Sequence, residues 1–252
     1  MTVHTNSVPA KKASVALIRN WPLTLLSGLL LPLLLSLGFW QLQRAEEKSA
    51  LNATIDTRLA SQPRSLANSA AELTGLQTYM PVRLLGFYTD EYYLLDNRTR
   101  NGRVGYEVLQ VFVSARQRWL VNRGWLEAPP QRDELPEVDW PLAAKVITGF
   151  LYPVAPGDSE SRPETDTRIQ QLDSTFAGSL DLLQPQWSIR LSADSDTALV
   201  TDWQLVNSPP QRHRAYAAQW FAMAVALVIL WLAAATSAAT FVRKVPQLLR
   251  KQ

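Results

Sequence analysis

Two long stretches carry no charged side chain, and they restrict the architecture more than any other feature of this 252-residue chain. Between Arg19 and Arg44 lies NWPLTLLSGLLLPLLLSLGFWQLQ, 24 residues dominated by leucine, and between Arg214 and Arg243 lie 28 more, residues 215–242. About 20 residues rising about 1.5 Å each cross a ~30 Å hydrocarbon core, so each stretch is long enough to span a bilayer as a helix. Trp21 and Trp40 stand near opposite ends of the first, where indole favours the headgroup layer. The competing reading of the first stretch is a cleaved signal peptide, since it follows Lys11 and Lys12. Its apolar part exceeds the ~7–15 residues of a typical signal core and no small-x-small site follows, so it reads as an uncleaved anchor.

Charge orients the chain. The tails hold Lys11, Lys12, Arg19, Arg243, Lys244, Arg250 and Lys251 with no acid, whereas Arg44, Lys48, Arg58, Arg212 and Arg214 flank the other side. The excess is small, but a loop of about 170 residues is translocated largely regardless of its own charges. The expected organisation is a cytoplasmic tail over 1–20, a transmembrane helix over 21–43, an extracytoplasmic domain over 44–213, a second transmembrane helix over 214–242 and a cytoplasmic tail over 243–252. Both termini then lie inside, and the one domain lies outside the cytoplasm. With the seven tail charges removed, 25 − 7 = 18 basic side chains face 22 acidic ones, so the rest of the chain is mildly acidic. Such a body lacks the clustered cations that neutralise nucleic-acid phosphates.

The intervening residues change pattern twice. RAEEKSALNATIDTRLAS consists of good or neutral helix formers with charge pairs at helical spacing, and is expected to continue the first helix. Beyond it come strand-like runs rich in aromatic and β-branched residues: YMPVRLLGFY, EYYLLDN, YEVLQVFV, RWLVNRGW, KVITGFLY and ALVTDWQLV. Asp96-Asn97 and Asn101-Gly102 bracket an expected turn, residues 152–168 read as a long irregular loop, and a short helix over 175–183 has Ser174 available as its cap. The fold class is therefore a membrane protein of α+β type, two transmembrane helices flanking an antiparallel, β-dominated domain.

Most catalytic chemistry is missing. There is no cysteine, which excludes disulfides, thiolate metal sites and thiol nucleophiles; two histidines cannot build a multi-histidine metal centre within one chain. No nucleophile elbow, phosphate loop or zinc-protease pair occurs. Asp133, Glu134, Glu137 and Asp139 sit among prolines in what reads as a solvated loop, and Arg98, Arg100 and Arg103 read as a hairpin tip or a docking surface for acidic groups. His213 stands apart. It lies at the mouth of the second stretch between Arg212 and Arg214, and at 100° per residue Tyr216 and Trp220 share its face. Two readings are open: an interfacial anchor, or a tetrapyrrole site in which His213 ligates iron, Arg212 and Arg214 face the propionates, and Tyr216 and Trp220 flank the macrocycle.

Several blocks in fixed order resemble the Surfeit locus protein 1 family, the membrane factors of haem-copper cytochrome c oxidase assembly. Gly38-Phe39-Trp40-Gln41 followed by Arg44 and Lys48, the block 82–87, Gly105-Tyr106, Val121-Asn122-Arg123-Gly124-Trp125, and His213 with Tyr216, Trp220 and Phe221 are each similar to a family motif. The resemblance implies assembly rather than catalysis, with haem a as cofactor, His213 at the position of the family's implicated histidine, and the oxidase catalytic subunit and the haem a synthase as partners in the same membrane. A membrane-anchored structural chaperone that docks on the nascent oxidase subunit without touching cofactor is the alternative. An envelope enzyme lacks any nucleophile with a base beside it.

Overall fold

The structure is a computed structural model that describes residues 20–66, 73–131, 134–157, 167–206 and 208–235. The basic tails, Asp133 and residues 158–166 of the expected loop fall outside them. The chain divides into two compact units, one formed by its two ends and one by Asn52–Leu205.

The first unit is a pair of helices. Helix α1 spans Trp21–Leu59 and so includes the expected extension beyond the apolar stretch; helix α3 spans Pro210–Ala235. Asn20 caps α1, its side-chain oxygen accepting from the Leu23 amide at 3.2 Å. Pro210 opens α3 at the position where the missing amide costs nothing. The contact face of α1 runs Thr24, Ser27, Leu31, Leu34, Gly38, Gln41, Ala45, an unbroken alternation of three and four residues. On α3 the facing residues are His213, Ala217, Trp220, Ala224, Leu227 and Trp231.

Small residues make this seam. Ser27, Gly38, Ala45, Ala217 and Ala224 are buried in it and let the backbones approach, as membrane helix pairs require where no hydrophobic force drives association. The helices run antiparallel: Trp231 Nε1 donates to Thr24 Oγ1 at 3.1 Å near one end, and His213 meets Gln41 at 2.9 Å near the other. The outer faces show Leu25, Leu29, Phe39, Val225, Ile229 and Leu230 to the surroundings, and only 11% of each apolar window is buried. A soluble core helix would hide these residues. The two helices anchor the protein in a membrane.

Gly38 is the tightest point of the seam. A Cβ there would stand 2.6–2.9 Å from three carbons of the Phe221 ring, which also packs edge-on against Phe39 at 5.3 Å. Gly38→Leu is expected to destabilise the helix pair by about 1–3 kcal/mol through overpacking. Chemical unfolding in lipid nanodiscs followed by helical circular dichroism checks it, and an unchanged midpoint would contradict the seam.

The second unit is a mixed sheet. Its strands are β1 (Arg64–Ser65), β2 (Pro81–Arg100), β3 (Arg103–Ser114), β4 (Gln117–Glu127), β5 (Lys145–Pro153), β6 (Arg168–Ile169) and β7 (Trp187–Leu191), with a short helix α2 (Ser174–Gly178) before the last. Five of them close on themselves in the order β2-β3-β4-β7-β5 and back to β2. Closure removes the open edges on which other chains could pair. Inside lie Val82, Leu84, Phe112, Val121, Ile147 and Leu191, all buried; a second cluster, Leu95, Leu109, Leu120 and Ile169, is covered by Phe176 and Leu180.

This corrects the expectation of an antiparallel sheet. β4 and β7 run parallel, Val121 opposite Ile189 and Asn122 opposite Arg190, and β1 and β6 also lie parallel to β2. A closed ring with an odd number of strands cannot alternate direction throughout, so one pair must be parallel. Four other differences are local. The two expected strands YMPVRLLGFY and EYYLLDN are one strand of 20 residues, whose residues 81–86 pair with β5 and whose residues from Phe87 on pair with β3 across a bulge between Tyr88 and Tyr92. Asp96-Asn97 is a second bulge within that strand, and the turn is Asn101-Gly102 alone, both at positive φ. The expected late strand ALVTDWQLV contributes a single bridge, Val200 to Trp125, because Gly124 at φ 119 breaks the β4 edge beside it. The short helix ends at Gly178 rather than Leu183, and Asp173 caps it in place of Ser174, accepting from the Phe176 amide at 2.8 Å.

Candidate functional site

His213 lies in the first turn of α3 and is half-buried against α1. Its Nδ1 is 2.9 Å from Oε1 of Gln41 and its Nε2 is 3.4 Å from Oγ of Ser208. An amide oxygen accepts and does not donate, so Nδ1 is the donor to Gln41; in the neutral ring Nε2 then carries the lone pair. A second partner that fixes the tautomer of an imidazole is the usual support of a metal-ligating histidine, and Gln41 occupies that place. Ser208, at the longer distance, is the group a ligand on Nε2 would displace.

The other expected residues divide by helix face. Trp220 is half-buried along the seam with His213, whereas Tyr216 is 45% exposed and Arg212 and Arg214 are exposed beside it. Neither arginine makes an ion pair among the described residues, so both guanidinium groups are available to an anionic ligand at this end of the helix pair. Gln41 was not singled out by any residue-level reading of site chemistry. Its only signal in the sequence is its place in the block 38–41, three residues from the seam glycine.

The arginines of the expected hairpin turn have acidic neighbours in their own unit. Arg103 pairs with Glu127 at 2.7 Å, Arg100 with Asp202, and Arg98 lies 3.7 Å from Glu107, so the arginine-rich turn is tied back to its own unit. No group of three acidic or histidine side chains suited to a metal occurs among the described residues.

The block 120–125 belongs to the core of the sheet. Arg123 is 4% exposed and donates from Nε to the Thr197 carbonyl (3.1 Å) and from one terminal nitrogen to Gln110 Oε1 (2.9 Å) and the Asp139 carbonyl (2.8 Å). Its guanidinium lies 5.1 Å from the centre of the Tyr88 ring, and burial pulls its pKa down from the usual arginine range. Gly124 could not carry a side chain, because a Cβ would stand 2.7 Å from the Val200 carbonyl oxygen at a φ that side chains rarely adopt. Trp125 donates from its indole to the Arg98 carbonyl at 2.6 Å. These residues hold the fold and leave no surface for a cofactor.

The SURF1 family model matches residues 29–225, which takes in most of α1, the whole sheet unit and the first part of α3. The chain belongs to the SURF1 family. This family is associated with cytochrome c oxidase assembly, and it is an assembly-factor family rather than a class of enzymes. Gly38, Gln41 and His213 lie within the matched residues. No curated protein matches the chain. Within a SURF1-family protein, the pairing of Gln41 with His213 is the arrangement on the described residues most suited to holding a ligand at the membrane.

Proposed function

We propose that this protein binds haem a through His213 and assists its insertion into the catalytic subunit of a haem-copper cytochrome c oxidase. The observation that carries the reading is the hydrogen bond from His213 Nδ1 to Gln41 Oε1, which leaves Nε2 with the lone pair that iron requires. The donor set fits the group: one imidazole, two exposed arginines at positions 212 and 214 with no ion pair among the described residues, and the aromatic rings of Tyr216 and Trp220 on the same helix. When bound, haem a would supply the iron and the flat macrocycle; the chain itself supplies orientation and a charged rim. In this reading the protein sits in a bacterial inner membrane with both termini inside and its sheet unit in the periplasm, and its partners are the haem a synthase and the nascent catalytic subunit.

The deciding experiment is the absorbance spectrum of the full chain purified beside a haem a supply. Wild type is expected to retain haem and His213→Ala to lose it. Equal haem in the two proteins would remove the ligand claim and favour a chaperone that docks without cofactor.

A further inference from the structure

Arg190, on the outward face of β7, makes no hydrogen bond from its side chain among the described residues. Its guanidinium is held between two rings, 3.5 Å from the centre of Tyr152 and 4.8 Å from that of Trp203, and its Nε is fully buried. Trp203 is itself fixed, donating from its indole to the Leu191 carbonyl at 2.8 Å. Desolvation lowers the pKa of Arg190 from the usual arginine range, with Arg98 acting in the same direction and Glu107 opposing it. A guanidinium partly withdrawn from water and stacked, yet bonded to no acceptor among the described residues, is incompletely compensated for its burial.

The surroundings add a charge imbalance and a strained residue. Glu107 serves Asn122, accepting from its amide at 2.6 Å, and lies 3.7 Å from Arg98, whose Nε is also buried without a hydrogen-bond partner. Arg98 and Arg190 against Glu107 leave one positive charge over. Tyr79, whose ring lies 6.0 Å from that of Tyr152, is held at φ 65, a conformation that a bulky aromatic residue rarely adopts. Strain of this kind gathers at ligand clamps. All of these side chains are half-buried, so the cluster is reachable from solvent.

We propose that Arg190, with Arg98 and the rings of Tyr79, Tyr152 and Trp203, forms a binding site for a carboxylate on the outer face of the closed sheet. The guanidinium fork matches a carboxylate through two parallel hydrogen bonds, and the single surplus charge matches a monoanion rather than a doubly charged phosphate. The site does not depend on His213 or on haem.

Titration calorimetry of the full chain in nanodiscs with benzoate, and with neutral benzamide as its isostere, tests the assignment. Benzoate is expected to bind saturably and at least about tenfold more tightly than benzamide, with affinity falling as salt is raised. Arg190→Lys, which keeps the charge and loses the fork, is expected to weaken benzoate about tenfold. Equal binding of the two probes, absence of saturation, or tighter binding of phenylphosphonate would overturn the proposal. Should Arg190→Lys fail to fold, benzoate binding in the Arg212→Gln, Arg214→Gln double variant decides: unchanged affinity keeps the site on the sheet, and its loss overturns the proposal.

Discussion

Arg123→Ala is expected to remove a large share of the sheet unit's stability. The substitution strips the donor from three acceptors at once, Gln110 Oε1 and the carbonyls of Thr197 and Asp139, and opens a void beside Tyr88. An orphaned buried acceptor costs on the order of 1–3 kcal/mol, so the sum reaches about 3–5 kcal/mol even if Asp139 recovers a partner from water. Domains of this size hold only about 5–15 kcal/mol in total. Urea unfolding followed by near-ultraviolet circular dichroism reads the loss. A fall below about 1 kcal/mol would mean that the network is not part of the core. The helix pair should retain its helical signal, since the change is confined to Asn52–Leu205.

Gln41→Leu is the corresponding test of the helix seam. Leucine fills a similar volume and removes the acceptor of His213 Nδ1, so the imidazole loses the bond that selects its tautomer. Losing an outer partner of a metal-bound histidine typically weakens metal binding about 10–100-fold. Haem a retention by the full chain is expected to fall by that factor, with the protein still folded. A readout free of cofactor is available: nitrogen-15 spectra of His213 should show the Nδ1–H form in wild type and a mixture of tautomers in Gln41→Leu. Unchanged spectra would show that Gln41 does not position the ring, whatever the haem experiment gives.

The parts of this molecule that hydropathy and local propensity govern were open to sequence reasoning. Both apolar helices and the extension of α1 to Leu59 follow from charge-free length and helix-forming composition. Runs of β-branched and aromatic residues located β2, β3, β4 and β5. Strand direction is a different matter, because alternation marks a strand without saying which way its neighbour runs. The parallel pair β4 and β7 depends on ring closure, a property of the whole chain. β7 itself, WSIRL, is too short and too polar at Arg190 to stand out, while ALVTDWQLV looks like a strand but meets β4 where Gly124 turns away. The site shows the same division. His213 was visible as a rare residue at a membrane boundary, whereas Gln41 lies 172 positions away and becomes its partner only through the three-and-four alternation that sets the helices in register. The block Val121-Asn122-Arg123-Gly124-Trp125, similar to a family motif, is buried structure.

Ring closure has a consequence for biosynthesis. β7 is the last strand to be made, yet it is the piece inserted between β4 and β5; Val121 waits 68 residues for Ile189. Until Leu191 has been made, both of those neighbours present unpaired backbone to their surroundings, the condition under which nascent chains cling to one another. A ribosome that stalls short of Trp187 therefore releases a tethered, sticky fragment rather than a smaller working lobe, and the cell must shield this polypeptide through nearly the whole of its synthesis.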